Sequence, residues 1–292
     1  MSTIEFSAVS TFPAIGGSGQ RLAFRSPSEV IVAETLEDVR AALECVDRAT
    51  QAGKWAVGFV AYDAAPAFDS ALEVPPRIGD GPPLVCFGVF DAPVAIADVH
   101  THADMAESVW TPHVSRAHYA SSVERIRQGI RDGDFYQVNH TVRLCTAIDP
   151  ASTSDLFGSM HAAQPNSYAM ELEAGRWAIL SVSPELFFAR TGNAIETRPM
   201  KGTVSRGRWF KEDARYREQL AASEKDRAEN VMIVDLVRND LGRIAKTGTV
   251  DVPRLFEIEQ HPTVWQMTST ITATLRHDVT LTDIFSALFP CG

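Results

Sequence analysis

The sequence predicts a mixed α/β protein. Segments rich in β-branched and aromatic residues alternate with segments whose apolar residues recur every three to four positions. In the middle of the chain, short turns that contain glycine separate neighbouring strand-like segments, which is typical of antiparallel hairpins. Hydrophobic residues make up 45% of the 292 residues, as in proteins with a sizeable core.

Composition excludes several classes of partner. With 27 Lys and Arg against 37 Asp and Glu, the formal charge is −10, whereas general nucleic-acid binding needs a basic face. No apolar run reaches the roughly 20 residues of a membrane span, and the first residues lack the pattern of a signal peptide. The four cysteines are far apart and form no CxxC, so we expect free thiols and a cytoplasmic protein. We therefore predict neither nucleic acid nor a membrane as a partner.

The first 110 residues are predicted to form an amino-terminal α/β region. Helical periodicity follows Thr35, which is a plausible N-cap. The polar segment His100–Ser115 is interpreted as a connector, so a second domain is predicted over residues 116–292. The strands expected in the first region are "EVIVAE", "WAVGFVAYDAA" and "LVCFGVFDAP".

The second region is predicted to begin with an amphipathic helix from Arg116 that ends at Gly133. The segment "FYQVNHTVRLCTAI" is expected to be a strand, and two hairpins should follow it. A long helix is predicted from about residue 223 to 245, with Ser223 in a capping position. Two strands around His261 and a short helix capped by Thr280 or Thr282 complete the prediction.

The second hairpin brings an acid close to a lysine. With Gly192 and Asn193 as a two-residue loop, the register pairs Glu185 with Met200 and places the carboxylate beside Lys201. By the same count, Phe187 pairs with Arg198. Such an acid and amine can be an ordinary cross-strand ion pair or members of a reactive site, and the hairpin alone leaves both interpretations open.

The long helix carries a second acid of interest. Glu229, Met232, Ile233 and Leu236 follow helical spacing, so Glu229 is predicted to lie on an otherwise apolar face. A carboxylate buried there would need a cation or a hydrogen-bond partner. The alternative is a solvated acid that the helix dipole favours near the amino-terminal end.

Four segments together resemble the chorismate-utilising enzymes, a family that includes anthranilate, isochorismate, salicylate and aminodeoxychorismate synthases. The resemblance is strong over residues 116–292, and weaker in "GKWAVGFVAYDAAPAFD" and "PLVCFGVFDAP". It implies the chorismate-binding fold, with two facing β-sheets and outer helices, and with the carboxy-terminal part missing from this chain. The four segments are "DGDFYQVNHTVRL", "SVSPELFFAR", "TRPMKGTVSRG" and "SEKDRAENVMIVDLVRNDLGRIAKTGTVDVPRLFEIEQHPTVWQMTSTITATL".

The residue at position 201 decides between subfamilies. This chain has Pro-Met-Lys-Gly-Thr at 199–203, similar to the Pro-Ile-Lys-Gly-Thr of aminodeoxychorismate synthase component I. Anthranilate synthases, the enzyme alternative, have a small residue in place of the lysine. The resemblance implies that Lys201 adds to C2 of chorismate, that Glu185 protonates the departing 4-hydroxyl, and that ammonia then attacks C4. The expected product is 4-amino-4-deoxychorismate, on the route to p-aminobenzoate and folate.

The resemblance also assigns binding residues. It implies that Gly202, Thr203 and Gln266 contact the substrate and that Glu229 is a ligand of Mg²⁺. Gln266 stands where many family members have a histidine, and glutamine cannot transfer a proton at neutral pH. Together with Lys201, this substitution favours a reaction that stops before an aromatic product forms. The alternative is a neutral exchange at a binding position.

The implied partners are chorismate, ammonia, a glutamine amidotransferase subunit that supplies the ammonia, and an aminodeoxychorismate lyase that is separate or fused. In the family, further acidic metal ligands and a carboxylate-binding turn follow the point where this chain stops at residue 292. We therefore expect the chain alone to be inactive. A third interpretation is a remnant that only binds ligand or docks the glutaminase.

Overall fold

The computed structural model describes residues 5–12, 20–77, 81–95 and 109–291. Much of the predicted connector, residues 100–108, lies outside these ranges. The chain divides into two compact units, Met1–His100 with Met160–Gly292 and Thr101–Ser159. No helix in the described ranges is both long and apolar enough to cross a bilayer. The helices are α1 (Leu36–Gln51), α2 (Arg116–Asp132), α3 (Thr153–Ala163), α4 (Phe210–Ala222), α5 (Glu224–Gly242) and α6 (Leu281–Leu288), with 3-10 helices at Tyr62–Ala67 and Pro150–Ser152.

The strands form antiparallel sheets. Three of the sheets lie in the larger unit, and a two-residue ladder lies in the smaller unit. The strands are β1 (Phe6–Phe12), β2 (Gln20–Phe24), β3 (Glu29–Ala33), β4 (Trp55–Val60), β5 (Val85–Phe90), β6 (Val94–Ala95), β7 (Thr111–Pro112), β8 (Leu144–Cys145), β9 (Tyr168–Ala174), β10 (Trp177–Ser183), β11 (Leu186–Thr191), β12 (Ala194–Arg198), β13 (Met200–Ser205), β14 (Asp251–Gln260) and β15 (Val264–Thr274).

Two sheets face each other, as expected. The sheet β10-β9-β1-β2-β6 packs against the sheet β3-β5-β4, and one buried cluster joins Phe6, Phe24 and Leu172 of the first to Cys86 and Phe90 of the second. The centres of the Phe24 and Phe90 rings lie 5.4 Å apart. Helix α1 covers the other face of the smaller sheet. Burial of these apolar side chains is the main favourable term in the stability of this layer.

A third sheet, which was not expected, carries the predicted catalytic hairpin. Its order is β11-β12-β15-β13, and β14 also pairs with β15. Helices α5 and α6 pack on it, because Ile233 and Leu241 of α5 and Ile284 of α6 join Ile195 and Ile271 of the sheet in one buried cluster. The mixed α/β class is therefore confirmed, with three sheets in the larger unit instead of two.

The first sheet contains strands from both predicted regions. Strand β1 pairs with β9 from Phe6↔Ala174 to Thr11↔Ala169. The predicted boundary between residues 110 and 116 stays a prediction, since this pairing joins the two segments without marking where either domain ends.

The register of the β11–β12 hairpin differs from the prediction by one residue. Thr191 pairs with Ala194 as expected, but Leu186 instead of Phe187 pairs with Arg198. A β-bulge between Leu186 and Ala189 inserts one extra residue into β11, so the count made from the turn is correct only up to the bulge.

In the smaller unit, helix α2 begins and ends where predicted. Ser115 caps it by accepting a hydrogen bond from the backbone of His118, and Gly133 ends it with a φ of 82°. The strand predicted over residues 135–148 is wrong, because only Leu144–Cys145 is a strand. In the described part of this unit, the short β7 is its pairing partner, so the rest of the segment forms no ladder.

A hydrogen-bonded cluster fixes the end of β13 to α4 and β15. The carboxylate of Asp213 accepts bonds from Arg206 Nε at 2.8 Å, Arg206 Nη2 at 2.6 Å, Gly207 N at 2.8 Å and Trp265 Nε1 at 2.9 Å. The Arg206 guanidinium also lies 4.5 Å from the centre of the Trp265 ring. The hydrogen bond from Arg206 holds the pKa of the Asp213 carboxyl well below its usual range.

Asp213→Asn should remove an acid-sensitive part of the stability. A carboxyl whose pKa is lowered by folding stabilises the protein above its unfolded pKa of about 3.9 and loses that contribution as the pH falls towards its folded pKa. We expect the variant to have a lower Tm than the parent at pH 7. The difference in Tm should become smaller as the pH falls below about 4. Asp235→Asn, at an exposed ion pair of α5, is the matched control. Parallel Tm profiles for parent and Asp213→Asn would contradict this account.

Candidate active site

Lys201 lies in a β-bulge of β13. The register against β15 shifts between Met200 and Thr203, so Lys201 and Gly202 together oppose Met267. Gly202 adopts a φ of +100°, a conformation that glycine takes more easily than other residues. Bulges of this kind locally disrupt the ladder and change the direction of a side chain. Lys201 itself is half-buried.

Gly202 makes room for the helices behind the bulge. A Cβ on this residue would lie 3.0 Å from Asp226 Cβ of α5 and 3.3 Å from side-chain atoms of Leu220 and Met267. The space left by the missing side chain is thus bordered by protein atoms, which gives Gly202 a packing role. Its predicted contact with substrate stays a prediction.

Glu185 is held at the residue that precedes Lys201. Its Oε1 accepts a hydrogen bond from the backbone N–H of Met200 at 3.1 Å. The Ser183 hydroxyl accepts from the backbone N–H of Glu185 and donates to its carbonyl, each at 3.2 Å. Among the ion pairs of the described chain, none joins Glu185 directly to Lys201. Glu185 therefore contacts the backbone of the residue next to Lys201, and the predicted approach of the two side chains stays a prediction.

A pocket of about 190 Å³ opens beside Glu185. The negative charge of Glu185 and the positive charge of Lys201 both act on the thiol of Cys291, another residue of the pocket wall. Partial burial of this thiol, followed by the charge of Glu185, raises the pKa of Cys291, and Lys201 opposes the rise. Burial likewise raises the pKa of Asp240, also in the wall. The remaining wall residues are Ser183, Leu186, Phe187, Thr197, Pro199, Ile233, Val237 and Leu288.

The structure brings two of the predicted substrate-binding residues into contact. Thr203 Oγ1 donates a hydrogen bond to Gln266 Oε1 at 2.7 Å, across the β13–β15 pairing. Thr203 is exposed and Gln266 is half-buried. The amide of Gln266 keeps its N–H donors for another partner, so this pair can bind a polar group.

Glu229 lies at the edge of the buried face of α5, not on it. The predicted stripe is wrong by about one residue, because Leu236 is 42% exposed while Ile233 and Val237 are buried. The Glu229 side chain is 36% exposed and pairs with Lys225 at 3.4 Å. Within the described ranges no group of three or more His, Cys, Asp or Glu side chains could hold a metal ion. The role of Glu229 as a metal ligand stays a prediction.

Asn230, which the sequence analysis missed, contacts the bulge. It is 1% exposed, its Nδ2 donates to the Lys201 carbonyl at 3.4 Å, and its Oδ1 accepts from Ser269 Oγ at 2.5 Å. The signal was available in the spacing of Asn230, Ile233, Val237 and Leu241, which share the buried face of α5. That spacing would have placed an amide, instead of the neighbouring carboxylate, against the sheet.

Comparison with known proteins identifies the family. The profile of the chorismate binding enzymes matches residues 97–292, about two thirds of the chain. The chain belongs to this family. The match includes both the bulge of Lys201 and the pocket beside Glu185.

Two curated relatives of this chain carry different enzyme names. Aminodeoxychorismate synthase component 1 of Klebsiella aerogenes is 40% identical over 185 residues, which cover 63% of this chain and 41% of the relative. Anthranilate synthase component 1 of Streptomyces coelicolor is 36% identical over 193 residues, 66% of this chain and 38% of that protein. The chain thus spans about two fifths of the length of these relatives.

A solved structure supports the fold. Anthranilate synthase component I from Streptococcus pneumoniae TIGR4 superposes with a TM-score of 0.75 and 21% sequence identity. The superposition covers 100% of this chain and 74% of that one. The chorismate-binding fold that the sequence resemblance implies is therefore confirmed.

Gly202→Ala should destabilise the protein more than another glycine substitution at positive φ. Gly248 has a φ of +79°, and an added Cβ there would have no neighbour within 4 Å, so Gly248→Ala adds only backbone strain of about 1 kcal/mol. Gly202→Ala adds the crowding against Asp226, and we expect a total loss of about 2 to 4 kcal/mol. Denaturant unfolding measures both variants, and equal losses would contradict the close contact between the bulge and α5.

Proposed function

We propose that this chorismate-binding protein aminates chorismate to 4-amino-4-deoxychorismate. The observation that carries the proposal is the position of Glu185, which lines the pocket and accepts a hydrogen bond from the backbone N–H of Met200, the residue next to Lys201. The relative from Klebsiella aerogenes, named aminodeoxychorismate synthase component 1, supports the choice of reaction. Because the chain spans only part of that relative, its activity, substrate and partners are proposals.

In the first step, the unprotonated amine of Lys201 attacks C2 of chorismate. The ring double bond shifts, the bond between C4 and its hydroxyl oxygen breaks, and Glu185 donates the proton with which that oxygen leaves as water. The hydrogen bond from Met200 N to Glu185 Oε1 supports this role, because it leaves the other carboxyl oxygen to carry the proton. The lysine is then joined to the ring through a new C–N bond.

In the second step, ammonia attacks C4, the double bond shifts back, and the bond between C2 and the lysine nitrogen breaks. One proton from the incoming nitrogen balances the released lysine amine. We propose that Gly202, Thr203 and Gln266 hold the substrate during both steps. Gln266 cannot remove a ring proton at neutral pH, which supports release of a product that keeps its enolpyruvyl group.

We further propose that Glu229 supplies one ligand to Mg²⁺, which would hold the carboxylates of the substrate. The fit is partial. Glu229 is half-exposed and can exchange Lys225 for a cation, but the described side chains around it form no metal-binding cluster. Water and substrate oxygens would have to provide the remaining ligands. We therefore assign no chemical step to the metal.

The proposed partners follow from the reaction. A glutamine amidotransferase subunit would supply ammonia, and an aminodeoxychorismate lyase would consume the product on the route to p-aminobenzoate and folate. The free state of all four cysteines supports a cytoplasmic location.

Anthranilate synthesis is the second candidate. The Streptomyces coelicolor relative, named anthranilate synthase component 1, is 36% identical to this chain. Lys201 argues against it, because direct attack of ammonia on C2 needs no amine from the protein at that position. Anthranilate is fluorescent, so the product itself distinguishes the two reactions.

Lys201→Ala should abolish a covalent adduct with chorismate. We expect the parent, incubated with chorismate and Mg²⁺ but without ammonium, to gain the mass of chorismate less one water on Lys201, and the variant to gain none. Peptide mass spectrometry locates the adduct, and addition of ammonium should release it. The expected inactivity of the chain in steady-state turnover stays a separate prediction. An adduct on another residue, or 4-amino-4-deoxychorismate formed by Lys201→Ala at the rate of the parent, would overturn the proposal.

Glu185→Gln should slow adduct formation and leave the fold intact. Glutamine can still accept the hydrogen bond from Met200 N, but it cannot protonate the departing hydroxyl. We expect the rate to fall by about a hundredfold or more. Glu196→Gln, on the neighbouring strand β12, is the control, and quench-flow mass spectrometry follows all three proteins. A normal rate in Glu185→Gln would assign the proton to a different group.

A further inference from the structure

We propose that Asn230 is a positioning residue for Lys201. Its side-chain amide holds the Lys201 carbonyl, which the bulge displaces from the β-ladder, and so fixes the direction in which the lysine leaves the strand. The inference rests on the proposed function, because it treats Lys201 as the reactive amine. It concerns the backbone carbonyl of Lys201, whereas the proposed function assigns roles only to side chains and to Gly202.

The bulge creates the need for such a partner. In a regular antiparallel pair the carbonyls of a strand alternate between the neighbouring strand and the far side. Where Lys201 and Gly202 oppose one residue of β15, this pattern is interrupted. A buried carbonyl without a partner costs free energy, so the displaced group must find a donor elsewhere. Asn230 Nδ2, 3.4 Å from the Lys201 oxygen, is that donor.

Ser269 fixes the orientation of the Asn230 amide. Its hydroxyl has one proton, which it donates to Asn230 Oδ1 at 2.5 Å, and it accepts from the backbone N–H of Phe256 at 3.2 Å. With its oxygen occupied in this way, the amide presents its N–H₂ group to Lys201. Asn230 and Ser269 are 1% and 0% exposed, so water does not compete for these bonds.

Three contacts hold consecutive residues of this segment. The carbonyl of Pro199 accepts from Ser269 N at 3.2 Å, the N–H of Met200 donates to Glu185, and the carbonyl of Lys201 accepts from Asn230. The proposed acid and the proposed nucleophile are thereby fixed by one network. A change in Asn230 should move Lys201 while α5 keeps its place, because Ile233, Val237 and Leu241 still pack on the sheet.

The test uses the reactivity of lysine amines and needs no turnover, so it is independent of the outcome of the adduct experiment. The purified chain is treated with trace acetic anhydride from pH 7 to pH 11, and peptide mass spectrometry reports the labelling rate of each lysine. Asn230→Asp keeps the shape of the side chain and the acceptor for Ser269, but it loses the donor to Lys201. Asn239→Asp, the same chemical change at an exposed site of α5, is the matched control.

We expect Asn230→Asp to raise the labelling rate of Lys201 by about fivefold and to change its pH profile, because the half-buried amine is released with its backbone. Lys54 and Lys246 should keep their rates, and Asn239→Asp should match the parent. Ser269→Ala should give a smaller change in the same direction, and it provides the decision if Asn230→Asp does not fold. An unchanged Lys201 rate and pH profile, or an equal rise at all lysines, would overturn the inference.

Discussion

The close approach of strand β13 to helix α5 at Gly202 is the constraint on which the rest of the site depends. A side chain at this position would crowd Asp226, and the φ of +100° is suited to glycine. Because the bulge that includes Gly202 interrupts the ladder, the carbonyl of Lys201 accepts a hydrogen bond from Asn230 instead. The carboxylate of Glu185 accepts a hydrogen bond from the backbone N–H of the preceding residue, Met200. The chemistry proposed for the lysine is thus built on backbone hydrogen bonds, and not on an ion pair between side chains.

The helix face that makes this contact is mixed in character. Apolar residues of α5 pack on the sheet over most of its length, and Asn230 brings one amide into the same face near its beginning. Buried polar groups cost stability unless all their partners are present, and Asn230 has partners on both sides in Ser269 and Lys201. The apolar residues towards the end of α5 therefore stabilise the fold, and Asn230 near its beginning positions the backbone of Lys201. Asp213 acts similarly at the other end of β13, where it joins Arg206 and Trp265.

Local patterns in the sequence predict much of the fold, and long-range contacts explain the errors. The end of α2 at Gly133, the cap of α5 at Ser223 and the turn at Gly192 depend on neighbouring residues, and these predictions are confirmed. The hairpin count failed at a bulge, whose position depends on packing instead of the local sequence. The stripe predicted on α5 was displaced because it began at Glu229, whereas the buried face begins at the neighbouring Asn230. The residues of the family motifs could be named from the sequence, but the contacts that hold them required the structure.

The proposed chemistry requires Lys201 to face the substrate. Its most direct test is the labelling of Lys201 by acetic anhydride with and without saturating chorismate, read by peptide mass spectrometry with Lys54 and Lys246 as internal references. We expect chorismate to protect Lys201 selectively and p-hydroxybenzoate, which lacks the enolpyruvyl group, to protect it far less. Labelling of Lys201 that does not respond to chorismate would contradict the claim and would leave the lysine with a structural role.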